Sequence, residues 1–359
     1  MQNNAVVLFT RVRLFSTISV ILAILASLFF SGFFGEGSLG WQVVIAVVAL
    51  AMGIPHGALD HLVTLPKAQP KKMAIFVIVY VAVAIIAVIG ILNFNTVGFI
   101  LVLFMSAIHF GIGDAAFINE IDKRTDESSK LNRWFYIPAA GFTPVFIPLV
   151  NSASTEALAS VNPALINWHQ GFDSEILLTI TIFTILAIGV MAIGKRYREA
   201  LDLTLLLLLA HFAPPLIAFA VYFGCWHAMR HTARLTLSLP RSIDNLNQGM
   251  LRKSFSNAVI PGLPALIGTF AVAALLALSG HDFTDEFFWM ALVVVWALTV
   301  PHMAVTAKLD RAALTSEHEV ESRSDRNINC HLYNFTCTSR ACLRIPNCRL
   351  RCKLCARTS

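Results

Sequence analysis

The chain has 359 residues, 57% of them apolar and 13% charged, and a formal net charge of +6. Apolar stretches near twenty residues recur along it, which excludes a string of soluble domains and marks a polytopic membrane protein. The positive charge does not call for nucleic acid, because membrane proteins gather Lys and Arg in cytoplasmic loops; no P-loop or Rossmann glycine pattern points to a nucleotide.

The first apolar run, Leu14 to Phe34, is too long for the core of a secretory signal and lacks a small-residue cleavage site, so it reads as a membrane helix. Further spans are predicted at 41–63, 73–92, 96–118, 134–150, 176–194, 201–213, 215–232, 258–279 and 287–306, with the first taken as 13–34. The expected fold is all-α: a polytopic integral membrane helical bundle of about ten transmembrane helices, or eight or nine if one segment is re-entrant.

Basic residues alternate between loops. Arg11 and Arg13 precede the first span, Lys67, Lys71 and Lys72 follow the second, Lys123, Arg124, Lys130 and Arg133 the fourth, and Lys195, Arg196 and Arg198 the sixth. The intervening loops carry Glu36, Glu156, Asp173, Asp282 and Asp285 and no Lys or Arg. Both termini are therefore expected in the cytoplasm of a bacterial-type plasma membrane. Residues 201–232 would rise about 48 Å as one helix, too long for one crossing. Pro214-Pro215 breaks the helix by removing amide donors, so two crossings are read there.

Six of the eleven histidines, His56, His61, His109, His227, His231 and His302, fall in the inner half of spans two, four, eight and ten. A lone membrane histidine usually bonds a neighbouring helix; six at one depth point to a shared site. His227 and His231 are four apart and share a helical face. His56 and His61 are five apart, about 140° around a helix, and do not both face one ion. Asp60 shares a face with His56 and is a candidate acceptor for an imidazole, or else a partner of Lys67 at the surface. Gly111 and Gly113 beside His109 permit close helix approach. Asp114 reads equally as a support for the site or as an interfacial residue. The inner set is His56, His109, His227 and His231, with Asp60, His61, Asp114 and His302 around it. Neutral imidazoles suit Zn, Cu, Fe and Ni alike.

The segments GIPHGALDH (53–61), SAIHFGIGDA (106–115), APPLIAFAVYFGCWHAMRH (213–231) and TVPHM (299–303) resemble the Brp/Blh family of membrane beta-carotene 15,15'-dioxygenases, in the same order and over roughly residues 40–305. The resemblance implies a non-haem Fe(II) enzyme that splits beta-carotene with O2 at the central double bond into two molecules of retinal. It also implies that His56, His109, His227 and His231 are the catalytic iron ligands, with up to two of six coordination positions left for O2. Phe110, Tyr222, Phe223 and Trp226 are candidates to line a polyene slot, or are ordinary packing aromatics. The lipid bilayer would deliver the substrate sideways between helices. No nucleic acid is involved, and nothing indicates a protein partner. No span has a lysine in its interior, so retinal would not be held as a Schiff base.

Two other classes remain open on the residues alone. A hydroxylase or desaturase would need more histidine boxes than the single HxxxH found here. A metal or proton transporter would be expected to show an inverted repeat. The catalytic domain is placed at 1–308. The remainder, 309–359, reads as a Cys- and Arg-rich disordered tail, such as a shifted reading frame produces. Cys330, Cys337, Cys342, Cys348, Cys352 and Cys355 lie there, with only one CxxC pair and hence no matched zinc site.

Overall fold

The computed structural model describes residues 2–29, 39–65, 69–125, 127, 129–152, 154–278 and 283–315. Every regular element among them is helical, as expected. In chain order they are α1 (Gln2–Phe29), α2 (Leu39–Gly57), the short α3 (Asp60–Thr64), α4 (Pro70–Asn93), α5 (Asn95–Thr125), α6 (Arg133–Val150), α7 (Ser154–Val161), α8 (Asp173–Ile193) and α9 (Tyr197–Phe212). A continuous rod follows, made of α10 (Pro215–Ala220), a π-helical segment (Val221–Ala228) and α11 (Met229–Leu235). The last elements are α12 (Pro240–Asn247), α13 (Leu251–Asn257), α14 (Leu263–Leu278) and α15 (Phe283–Leu314).

Helices occupy all ten predicted segments. Among the described residues, seven stretches are long and apolar enough to cross a membrane: α1, α2 with α3, α4, α5, α8, α13 with α14, and α15. The other three segments are α6, α9 and the rod. Helix α6 contains Pro138, Pro144 and Pro148, and α9 carries buried Glu199 and Asp202. These helices are wrapped by neighbours and do not need the continuous apolar coat of a lipid-facing helix. Helix α4 is the opposite case, with Ile78, Ile85 and Ile86 all exposed. Helix α9 stops at Phe212, Ala213 and Pro214 are extended, and α10 begins on Pro215, so the double proline does break the chain where expected.

Small residues let α5 and α6 touch backbone to backbone. Gly111 lies against the carbonyl of Ile137, and Gly141 against that of Ala107; a Cβ at either would overlap the opposing backbone. Below this contact Phe9 stacks on Phe117 with ring centroids 5.0 Å apart.

Two residues used as loop markers prove to be buried. Arg13 donates to Asp202 (2.7 Å) and Glu199 (2.8 Å), and Arg196 to Glu199 (2.8 Å) and Asp122 (3.0 Å). Sequence position near a helix end placed them in loops. The buried acids Glu199 and Asp202 on α9 draw them inward, because an acid at that depth must be paired. The last helix also runs through Leu314, past the boundary drawn at 308. Asp310 is buried and accepts from Arg234 at 2.6 Å, so this turn belongs to the bundle. The cysteines of the tail lie outside the described residues.

Candidate functional site

Five imidazoles meet inside the bundle. His56 comes from the end of α2, His109 from α5, His227 from the π segment, His231 from α11 and His302 from α15; all are 6% exposed or less. Ring centroids lie 5.5 Å apart for His56 and His227, 4.9 Å for His56 and His231, and 5.1 Å for His109 and His227. His302 stands 5.4 Å from His56, 5.2 Å from His109 and 5.6 Å from His231. Rings that bind one ion through nitrogens about 2.1 Å away stand roughly 4.6–5.3 Å apart at right-angled to tetrahedral geometry.

The cluster is gathered but not closed. Among the described residues, no three His, Cys, Asp or Glu side chains are already set to hold a metal ion. Ring position and ring aim have different origins, however. The helix backbones fix where each imidazole stands, while its nitrogens turn about soft side-chain torsions. The hydrogen-bond pattern points to an unmet need: Nδ1 of His56, Nε2 of His109, both nitrogens of His231 and Nε2 of His302 are buried without partners. Buried polar atoms are normally satisfied, and orphans concentrated on four rings of one cluster call for a shared partner. Donors of this kind suit a late first-row divalent ion.

The surroundings differ from the sequence reading in several places. Asp60 does not serve His56. The chain turns at Ala58 and Leu59, so Asp60 opens a separate helix and meets His302 instead, with Nδ1 2.8 Å from Oδ2. His61 approaches the carbonyl of Ala58 with its Nδ1 (3.0 Å) in its own turn. Asp114 is not at the rings: it accepts from Arg230 (2.5 Å) and from the hydroxyl of Tyr136 (2.6 Å). The rod is π-helical where a regular α-helix was expected, and π segments recur at functional sites. His227 and His231 still face the same way, 6.0 Å apart and 29° from parallel.

A cavity of about 470 Å³ reaches the cluster, bordered by His56, His109, His227 and His302. Phe110, Tyr222 and Phe223 line it. The Phe110 ring is 4.3 Å from His227, and Phe223 lies 24° from parallel to the same imidazole. Trp226 does not line the cavity. It is fully buried, with the Arg230 guanidinium 3.5 Å from its ring centre. Sequence reasoning missed Phe219, which stacks on Phe223 at 5.5 Å and lines the cavity. It also missed Tyr80, whose hydroxyl donates to Asp60 at 3.1 Å, and Thr306 beside His109. A signal for His302 was available: the Pro-His pair recurs at 55–56 and 301–302, each time inside a helix.

A helical bundle of membrane-spanning type with clustered imidazoles at the end of an apolar cavity defines a class, the polyhistidine membrane proteins. Comparison with known sequences is more specific. The profile of the beta-carotene 15,15'-dioxygenase family matches residues 47–310, and the chain belongs to that family. It is 28% identical over 205 residues to a beta-carotene 15,15'-dioxygenase of an uncultured marine bacterium 66A03, covering 53% of this chain and 67% of the relative. It is 27% identical over 294 residues to the probable beta-carotene 15,15'-dioxygenase Blh of Halobacterium salinarum, covering 73% and 82% respectively. No solved structure matches significantly.

Proposed function

We propose that this protein is a multi-pass membrane non-haem iron dioxygenase that cleaves beta-carotene with O2 at the 15,15' double bond. Each half of the polyene takes one oxygen atom and leaves as retinal. The carrying observation is the set of orphaned imidazole nitrogens closing one end of an apolar cavity, in a chain of this family.

His56, His109, His227 and His231 would hold Fe(II), which when bound supplies the O2-activating chemistry. The protein's own part is placement. Phe110, Phe219 and Phe223 form an apolar wall leading to the imidazoles, suited to an extended polyene. The same wall excludes water from the reacting bond. A substrate dissolved in lipid would reach the cavity between helices, where Val77 and Val81 of α4 both line it and face outward. The distribution of Arg11, Lys71, Lys72, Lys123, Arg124, Lys195 and Arg198 supports a reading with both termini in the cytoplasm.

The test is expression in bacteria that accumulate beta-carotene. Bleaching with appearance of retinal supports the proposal. An apocarotenal of another length moves the cleavage site. Unchanged carotene, with the protein folded in the membrane, overturns it.

A further inference from the structure

The four-histidine set gives no role to the best-oriented ring of the cluster. His302 Nδ1 lies 2.8 Å and 3.0 Å from the two oxygens of Asp60. An ionised carboxylate only accepts, so the shared proton sits on Nδ1 and the lone pair on Nε2. That Nε2 is buried, has no partner and belongs to a ring 5.2–5.6 Å from those of His56, His109 and His231.

Charge gives a second, independent argument. Asp60 is buried, and no described Lys or Arg pairs with it; its partners are His302 and Tyr80. A buried carboxylate without a cation is costly. A divalent ion on the far nitrogen of His302 would supply the missing positive charge. Helix α15 orients a second ring in the same way. Thr306 donates its single hydroxyl proton to the carbonyl of His302 (3.1 Å) and so accepts from His109 Nδ1 (3.4 Å), which leaves the lone pair on the orphaned His109 Nε2.

We infer that His302 is a fifth imidazole ligand, and that Asp60, held by Tyr80, is the positioning residue that fixes its tautomer. The inference rests on the metal-site reading above. It leaves one of six coordination positions open instead of two.

The experiment uses the full chain in detergent or nanodiscs, loaded with Co(II), and reads metal affinity and the Co(II) visible bands. His302→Ala and His302→Gln should weaken metal binding and alter the bands, and added imidazole should restore the wild-type bands in His302→Ala. Asp60→Asn should weaken binding roughly 10–100-fold, the usual effect of losing a partner that orients a ligand. Should His302→Ala fail to fold, His302→Gln and Asp60→Asn decide. If the folded variants keep wild-type affinity and bands while His227→Ala loses metal, the inference falls and the proposed function stands. Wild-type protein that takes up no metal sinks both.

Discussion

The guanidinium of Arg230 lies against two rings, 3.5 Å from the centre of Trp226 and 5.2 Å from that of Phe117, while it donates to Asp114 at 2.5 Å. It sits next in sequence to His231, so it anchors the rod at the depth of the imidazoles. Removing one member of a buried ion pair leaves an uncompensated charge and costs about 3–5 kcal/mol. Asp114→Asn and Arg230→Met should each destabilise by about that much. The double variant should lose less than the two together, because it removes both charges. Unfolding in detergent measures this; additive losses would mean the pair is uncoupled.

The cavity wall predicts a division of labour among the aromatics. Phe223→Ala and Phe110→Ala remove surface that binds substrate and transition state alike, so KM for carotenoid should rise with kcat less affected. The ~1.5–3 kcal/mol of a buried aromatic side chain corresponds to roughly tenfold or more. Trp226→Phe should lower stability and leave KM near wild type. Equal KM effects at all three positions would contradict the placement of Trp226 away from the cavity.

Helix contact sets a third expectation. Gly111→Val would drive a side chain into the carbonyl of Ile137 and separate α5 from α6, two residues from His109. Overpacking of this kind costs at least about 1–3 kcal/mol. Gly90→Ala is the counterpart, since nothing lies within 4 Å of its would-be Cβ. There the helix gains about 0.5–1 kcal/mol from reduced backbone freedom. Comparing thermal unfolding of the two variants checks the pair of signs.

Iron content separates ring members from bystanders. His227→Ala should lose bound iron, whereas His61→Ala should keep it, because His61 is engaged with its own turn at Ala58. Metal analysis of the purified variants decides; iron lost equally from both would place His61 at the ion.

Much of the fold was legible because lipid imposes a simple rule on sequence: twenty apolar residues make a helix. The helices followed from it, the Pro214-Pro215 break from the amide donors that proline lacks, and the approach of His56, His109, His227 and His231 from their common depth along the spans. What escaped depended on contacts between distant segments. Asp60 looked like a neighbour of His56 only if α2 continued; a turn at Ala58 and Leu59 sends it to a partner 242 residues away. Arg13 looked like a loop residue because nothing near it in sequence reveals that Asp202 and Glu199 wait inside, and Arg196, three residues before Glu199, is also held by Asp122 on α5. Trp226 looked like a wall residue because it lies between Phe223 and His227, which do border the cavity.

That register has a consequence for how the chain can change length. A π-helix fits more residues into each turn than an α-helix does. Deleting a single residue between Val221 and Ala228 would let the rod relax into a regular helix. The larger turn per residue of the α-helix would make up most of the rotation lost with the deleted residue, so the helix beyond would stay close to its place. His231 and Arg234 would then keep their side of the rod, whereas an inserted residue has no such slack to use up, so the stretch should tolerate the loss of one residue better than the gain of one.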